Sequence, residues 1–211
     1  MNRKFISKSN FVLRQVLNSD NCLDILKDFI ESILEINIEK ITLNPYLYKK
    51  AKYLPKKENF GIADVRIMTD KNEYINVGIQ FIDGKYIPTK ILMYYEQIHL
   101  NQLEYDDKRE FSKTITINIL DFLYFSSFEY DKIIRISSND DFVKTEEVEF
   151  HVIELQKFNP NNFSELGREE QWVAYFKGDN NSLIEQIKAQ NKYIKKLDDL
   201  LENYWNNEKM E

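Results

Sequence analysis

Asp64 is a carboxylate in the middle of an otherwise apolar stretch of sequence. It lies between Ala63 and Val65 in IADVRIM at 62–68, a segment whose residue types are typical of a β-strand. An unpaired buried charge costs several kcal/mol, so this carboxylate requires a partner. One candidate partner is Arg66, two residues along on the same strand face. The other is a divalent cation such as Mg²⁺, which binds carboxylates, water and substrate phosphate.

Other residue types that carry chemistry give weaker signals. His99 and His151 lie far apart in the sequence, and their spacing does not indicate a shared metal site. Cys22 falls on the apolar face of a predicted helix, which is typical of a small core residue. The sequence contains no nucleophile elbow, phosphate-binding glycine loop or HExxH motif. Asp64 is therefore the strongest candidate for chemistry.

The elements around Asp64 predict an α/β fold. Asp64 lies on the first strand of a predicted hairpin, 62–68, whose second strand is YINVGIQFI at 74–82. The remaining periodicity predicts helices at 22–35 and 88–103 and strands at 37–43, 114–125, 133–136 and 149–158. The run at 114–125 has few charges and is typical of a strand buried on both faces. A hairpin followed by a helix and another strand predicts a mixed central sheet flanked by helices.

The composition excludes several classes of protein. With 43% hydrophobic residues, the 211-residue chain can bury a core, which excludes a disordered or linker-rich chain. Its single cysteine excludes an internal disulfide framework. No apolar run approaches the roughly 18 residues of a membrane span, and the N-terminus lacks the apolar stretch of a signal peptide. We therefore expect a cytoplasmic protein that does not bind membranes.

A basic segment interrupts an acidic chain. The formal net charge is −6, yet residues 40–72 contain eight basic and three acidic residues. Five lysines in this segment are candidates for contacting a phosphate backbone: Lys49, Lys50, Lys52, Lys56 and Lys57. A solvated loop is the alternative interpretation of the same charges.

The hairpin resembles that of the PD-(D/E)XK nuclease superfamily, and more narrowly its recombination-promoting nuclease and putative transposase families. Those families have D-V on the first strand and E-x-Q on the second, and Asp64-Val65 and Gln80 match this pattern. Further similar blocks are NFVLRQVL at 10–17, LKDFIESIL at 26–34, Lys90-x-x-x-Tyr94, the strand at 114–125, IELQKF at 153–158 and QWVAYF at 171–176. The resemblance runs from about residue 10 to residue 176.

The resemblance implies a restriction-endonuclease-like core that cleaves DNA with Mg²⁺ or Mn²⁺. It assigns Asp64 and the backbone carbonyl of Ile79 to the metal, and it assigns Gln80 to the attacking water. It also adds Lys90 and Tyr94 to the candidate nucleic-acid-binding residues.

The sequence departs from the family pattern where the second acidic ligand is expected. Gly78 lies two residues before Gln80, and glycine supplies no carboxylate. The first interpretation is a degenerate member with impaired or lost cleavage and no required cofactor. In the second, Glu73 or Asp83 substitutes for the missing acid, and in the third the glutamate was replaced by design. The alternative function is a non-catalytic nucleic-acid-binding or protein-interaction module on the same fold.

The last part of the chain predicts a helical extension. We assign 1–160 to the nuclease-like domain and 161–211 to this extension. Within the segment 182–205, apolar residues recur at alternating spacings of four and three, with a polar interruption at Gln190. Such a helix either packs on its own domain or forms a coiled coil, which would make a homodimer or a dimer with active relatives.

Overall fold

The computed structural model describes residue 13 and residues 16–43, 62–71, 73–80, 113–137, 144–160 and 162–208. Its helices are α1 (Leu23–Leu34), α2 (Arg168–Lys177), α3 (Asn181–Gln190) and α4 (Lys192–Glu208). Its strands are β1 (Ile41–Leu43), β2 (Ile62–Thr69), β3 (Tyr74–Gln80), β4 (Thr114–Leu120), β5 (Asp131–Ser137) and β6 (Lys144–Glu154). Short 3₁₀ turns cover Asp20–Cys22, Leu155–Lys157 and Phe163–Glu165. The predicted helix at 88–103 and the lysine-rich segment 49–57 lie outside the described residues.

The six strands form one mixed sheet in the order β1-β2-β3-β4-β6-β5. The pairs β1/β2, β2/β3 and β5/β6 are antiparallel, whereas β3/β4 and β4/β6 are parallel. The predicted α/β class with a mixed sheet flanked by helices is therefore confirmed. The predicted hairpin is also confirmed, since β2 and β3 pair along seven residues of each strand.

The sheet has two chemically different faces. Strand residues alternate between faces, and β4 alternates Thr114, Thr116 and Asn118 with three isoleucines. The isoleucines belong to the main hydrophobic core with residues of β2, β3 and β6, and we call this side the apolar face. The opposite side carries Asn76, Thr116 and Asn118, all buried, and we call it the polar face.

Helices α1 and α2 belong to the same core as the apolar face and meet through aromatic rings. Phe29 of α1 makes edge contacts with Trp172 and Phe176 of α2, with ring centroids 5.4 and 5.7 Å apart. Asp28, which is buried, accepts hydrogen bonds from Trp172 Nε1 at 3.0 Å and from Arg168 at 2.6 Å. A buried carboxylate with two such donors is paired in charge and hydrogen-bonded, and so it links the two helices.

Three predicted strands differ from the observed ones by four residues or more at an end. The strand predicted at 114–125 ends at Leu120, and a loop runs from there to β5. The strand predicted at 37–43 contains only Ile41–Leu43. The strand predicted at 149–158 begins earlier and gives way to a 3₁₀ turn after Glu154. In the first two cases the run of apolar residue types extends beyond the hydrogen-bonded ladder, whereas β6 also includes the mostly polar residues 144–149.

The prediction of one helix across 182–205 is wrong, because the chain divides into α3 and α4 at Asn191. The Asn191 backbone N–H closes α3 by donating to the Ile187 carbonyl at 2.7 Å. Its side-chain oxygen accepts from the backbone N–H groups of Tyr193 and Ile194, both at 3.1 Å, and so caps the start of α4. The apolar seam is buried in the chain's own core: Leu183, Ile187, Ile194, Leu197 and Leu201.

A chain truncated after Gly178 should lose cooperative thermal unfolding rather than become a folded monomer. The truncation removes α3 and α4, whose buried leucines and isoleucines cover the core, and each such side chain is worth about 1.5–3 kcal/mol when fully buried. Circular dichroism during heating, with light scattering for mass, measures the effect. A chain ending at Glu208 is the control. A cooperative transition near the native midpoint in the shorter chain would contradict this.

Candidate functional site

The register of the hairpin brings Asp64 directly opposite Gly78. Ile62 lies opposite Gln80, and Ala63 lies opposite Ile79. Residues directly opposite in an antiparallel pair share a face, with Cα atoms about 4.5–5.5 Å apart. Positions 64, 78 and 80 therefore belong to the polar face of the sheet, and Ile79 belongs to the apolar face.

Strand β4 extends this row on the other side of Gly78. Asn118 is the register partner of Gly78 in the parallel pair β3/β4, and Val152 of β6 follows Asn118. Adjacent strands lie about 4.8 Å apart, so the row places Asp64 and Asn118 on either side of a residue that has no side chain. The sequence analysis did not single out Asn118.

The Asn118 side chain is buried, with only 4% of its surface exposed. Its Nδ2 group donates to Thr116 Oγ1 at 3.0 Å and to the backbone carbonyl of His151 at 3.3 Å. A carbonyl oxygen can only accept, which identifies the nitrogen end of the amide as the end that meets β6.

Asn76 places an unsatisfied oxygen on the same face. It lies two residues before Gly78 on β3, beside Thr116 of β4, and is 2% exposed. Its Oδ1 atom is buried and has no hydrogen-bond partner. Leaving such an acceptor unpaired costs about 1–3 kcal/mol. This oxygen is one position along the strand face from the Asp64–Gly78–Asn118 row.

The loop after β4 is held at the same end of the sheet by Glu154. Leu120, the last residue of β4, lies between Gln80 of β3 and Glu154 of β6. The Glu154 carboxylate is 1% exposed and accepts from the backbone N–H groups of Tyr124 and Phe125 and from Lys157. The segment IELQKF at 153–158 thus contains Glu154 and Lys157, which fix this loop. This contact could not be predicted from the sequence, since the loop lies about thirty residues before Glu154.

The substitute acids proposed from the sequence do not gain support from the described residues. Glu73 lies in the turn before β3, where its carboxylate accepts from Thr69 Oγ1 at 3.3 Å. Glu73 is five residues before Gly78 in the sequence. At about 3.4 Å per residue, this places it about 17 Å away along the strand. We therefore do not retain Glu73 as a ligand. Four other candidate groups lie outside the described residues: Asp83, Lys90, Tyr94 and the lysines at 49–57.

A separate group of ionisable side chains lies where β5 and β6 approach α2. His151 Nε2 is 2.9 Å from Glu149 Oε1, and Lys113 is 3.2 Å from Glu149. Burial raises the pKa of Glu169 to about 7, and the nearby charges of Asp131 and Glu170 add to the rise. Burial also raises the pKa of Asp131, which His151 partly offsets. These groups belong to the apolar side of the sheet and are not part of the Asp64 row.

The sheet and its flanking helices are typical of one class of protein. A six-stranded mixed sheet flanked by helices is consistent with the restriction-endonuclease-like fold of PD-(D/E)XK nucleases. The model of the PD-(D/E)XK nuclease family transposase matches residues 7–211, and the chain belongs to that family. The resemblance stated from the sequence is therefore confirmed. No curated protein and no solved structure matched the chain significantly.

The polar face offers few ligands for a divalent cation among the described residues. PD-(D/E)XK nucleases generally use divalent metals. Among the described residues, no three His, Cys, Asp or Glu side chains come together as a ready-made metal cluster. The face instead combines one carboxylate position, Asp64, with amide oxygens, and the buried unpaired Oδ1 of Asn76 is an acceptor that a bound water can satisfy.

In the described part of the chain, no helix has the length and apolar character of a membrane span.

Glu169→Gln should stabilise the fold at pH 8 and leave it nearly unchanged at pH 4.5. The folded pKa of about 7 lies above the ordinary value of 4.5, so folding favours the protonated acid. The stability that protonated Glu169 contributes to the fold is fully present below the ordinary pKa of 4.5, and it is lost as the pH rises through the folded pKa of about 7. Glutamine mimics the protonated form at every pH. The melting temperature at the two pH values measures the difference.

Glu165→Gln is the matched control, because it removes the same charge from an exposed position. An equal gain from Glu169→Gln at both pH values, or no gain at pH 8, would show that Glu169 does not titrate as described.

Proposed function

We propose that this protein binds DNA beside Asp64 of the hairpin and that its phosphodiester cleavage is impaired or lost. The observation that supports this is the register of the hairpin. It places Gly78 directly opposite Asp64, which is the position where the family pattern has its second acidic ligand. The proposal takes the family membership as its starting point and adds the consequence of this one residue.

Each residue of the site has a role in this proposal. Asp64 and the backbone carbonyl of Ile79 would hold the cation, and Gln80 would orient the attacking water. The chemistry that Mg²⁺ or Mn²⁺ would supply there is activation of this water and charge stabilisation at the phosphate. Glu154 and Lys157 hold the loop after β4. This loop lies at the Gln80 end of β3 and supports the geometry of the site.

Gly78 weakens this arrangement through charge. Mg²⁺ keeps several waters and is usually held by one or two carboxylates plus substrate phosphates. With glycine at position 78, the row Asp64–Gly78–Asn118 contains one carboxylate and one neutral amide. The remaining charge attracts a cation less strongly, so the site is expected to fill only at high metal concentration or with DNA bound.

Gly78→Glu should raise Mg²⁺-dependent plasmid nicking by at least about 100-fold, the typical contribution of one charge-stabilising group in an active site. Gly78→Gln is the matched control, because it adds the same length of side chain without the charge. Adding Asp64→Ala to Gly78→Glu should return nicking to background. Thermal unfolding of each variant shows whether the fold is intact.

The outcome against the proposal is native protein that nicks DNA as fast as folded Gly78→Glu, with Asp64→Ala abolishing both activities. In that case the chain is a working nuclease and Gly78 is not a defect. If folded Gly78→Glu does not nick DNA and does not bind Mn²⁺, the assignment of Asp64 and Gln80 to a metal site fails.

DNA binding without cleavage should depend on the lysine-rich segment. Replacing Lys49, Lys50 and Lys52 with glutamine should weaken DNA affinity and reduce the slope of log affinity against log salt by up to about 3, since each phosphate contact contributes about 0.9. Fluorescence anisotropy at several salt concentrations measures both values. Replacing Lys192, Lys195 and Lys196 of α4, whose side chains reach the surface, is the control. Native protein with no DNA affinity at low salt would instead favour the protein-interaction alternative.

A further inference from the structure

We propose that the open edge of β5 pairs with β5 of a second copy of this chain, in an antiparallel register centred on Ile133. The two six-stranded sheets then form one continuous sheet across a two-fold axis. This inference does not depend on the proposed function, because it concerns the edge of the sheet rather than the Asp64 hairpin.

The backbone of β5 has hydrogen-bonding groups on its open side. Among the described strands, β5 has β6 on one side and no neighbour on the other. The Glu154 N–H donates to the Tyr130 carbonyl at 2.7 Å, so the backbone groups of Tyr130 point toward β6. Successive residues of a paired strand alternate in this respect. The N–H and C=O groups of Asp131, Ile133 and Arg135 therefore point outward, where another strand can pair with them.

Exposed apolar side chains concentrate at the same edge. In the part of the chain that the structure describes, the large apolar side chains that are exposed all lie between residues 123 and 134, and Phe128 is 99% exposed. They are Leu123, Tyr124, Phe128, Ile133 and Ile134. Lys132 Nζ lies 5.7 Å from the centre of the Phe125 ring, which joins the loop after β4 to β5. The loop and the strand therefore form one apolar surface.

The size of this surface fits a second copy of the chain. An aromatic side chain presents roughly 200 Å², so the five side chains together expose roughly 500 Å². Two such surfaces account for roughly 1,000 Å² in total, which is the lower limit of a specific protein interface. The backbone of the paired edges adds to this area.

The charge of the surface also favours a second copy. Residues 121–137 contain three acidic and two basic residues, so the surface is close to neutral. Two near-neutral surfaces meet without strong repulsion. A phosphate backbone, in contrast, is bound by surfaces with an excess of Lys and Arg.

The ladder of β5 indicates the register. Its pairing with β6 is regular from Asp131 to Arg135 and irregular between Arg135 and Ser137. A pairing centred on Ile133 uses this regular stretch, and the two Ile133 residues exchange both of their backbone hydrogen bonds. It also places Asp131 opposite the partner's Arg135, a residue of opposite charge. Asp131 Oδ1 is buried and has no hydrogen-bond partner within the chain, which is independent support for a group supplied from outside.

Sedimentation velocity of the full chain over a range of concentrations tests this pairing. The native protein should be a dimer that dissociates on dilution. Ile133→Pro removes one outward N–H and no bond to β6, so it should be a monomer with a melting midpoint close to the native one. Ile133→Val is the matched control, because it keeps both the N–H group and a β-branched side chain, and it should remain a dimer.

A charge pair across the two-fold axis tests the register. Ile133→Lys and Ile133→Glu each place two like charges directly opposite each other, so each variant alone should be a monomer. An equal mixture of the two variants should form dimers again, because unlike charges then face each other. Recovery on mixing also shows that neither variant had simply failed to fold.

A native protein that is monomeric at every concentration would overturn the proposal, and so would folded Ile133→Pro that dimerises as the native protein does. If Ile133→Pro does not fold, the mixing experiment decides. A mixture of Ile133→Lys and Ile133→Glu that stays monomeric would then rule out pairing centred on Ile133.

Discussion

The register of β2, β3 and β4 is the constraint on which the rest of this structure depends. Val65, Val77 and Ile117 form one row across these strands, and all three are almost completely buried on the apolar face. The adjacent row, Asp64–Gly78–Asn118, is displaced by one residue and so belongs to the polar face. Because a slip of one residue would exchange the two faces, hydrophobic packing on one side fixes the polar arrangement on the other.

Two buried carboxylates then connect distant segments to this sheet. Asp28 joins α1 to α2 through Arg168 and Trp172, and these helices cover the apolar face. Glu154 joins β6 to the loop after β4 and borders the row that contains Gln80. Both carboxylates have their charge and hydrogen-bonding needs met inside the fold, so neither is a candidate for chemistry.

The sequence predicted what depends on local periodicity and missed what depends on neighbours in space. The hairpin was predictable because two alternating runs flank a short polar loop. Asn118 was missed because the run at 114–125 was judged by its apolar density, although Thr, Ile and Asn alternate within it. Its position beside Gly78 depends on parallel pairing, which no local pattern specifies. The break at Asn191 was missed because the apolar spacing continues across it while its side chain caps a new helix.

The central proposal is that glycine at position 78 removes the second acidic ligand beside Asp64 and so weakens cation binding there. The most direct measurement is anomalous scattering from Mn²⁺ soaked into crystals of the native protein and of Gly78→Glu. The account predicts a Mn²⁺ peak at Asp64 in the Gly78→Glu crystals and a much weaker peak there in the native crystals. Equal peaks at Asp64 in both crystals, or no peak at Asp64 in either, would contradict the account.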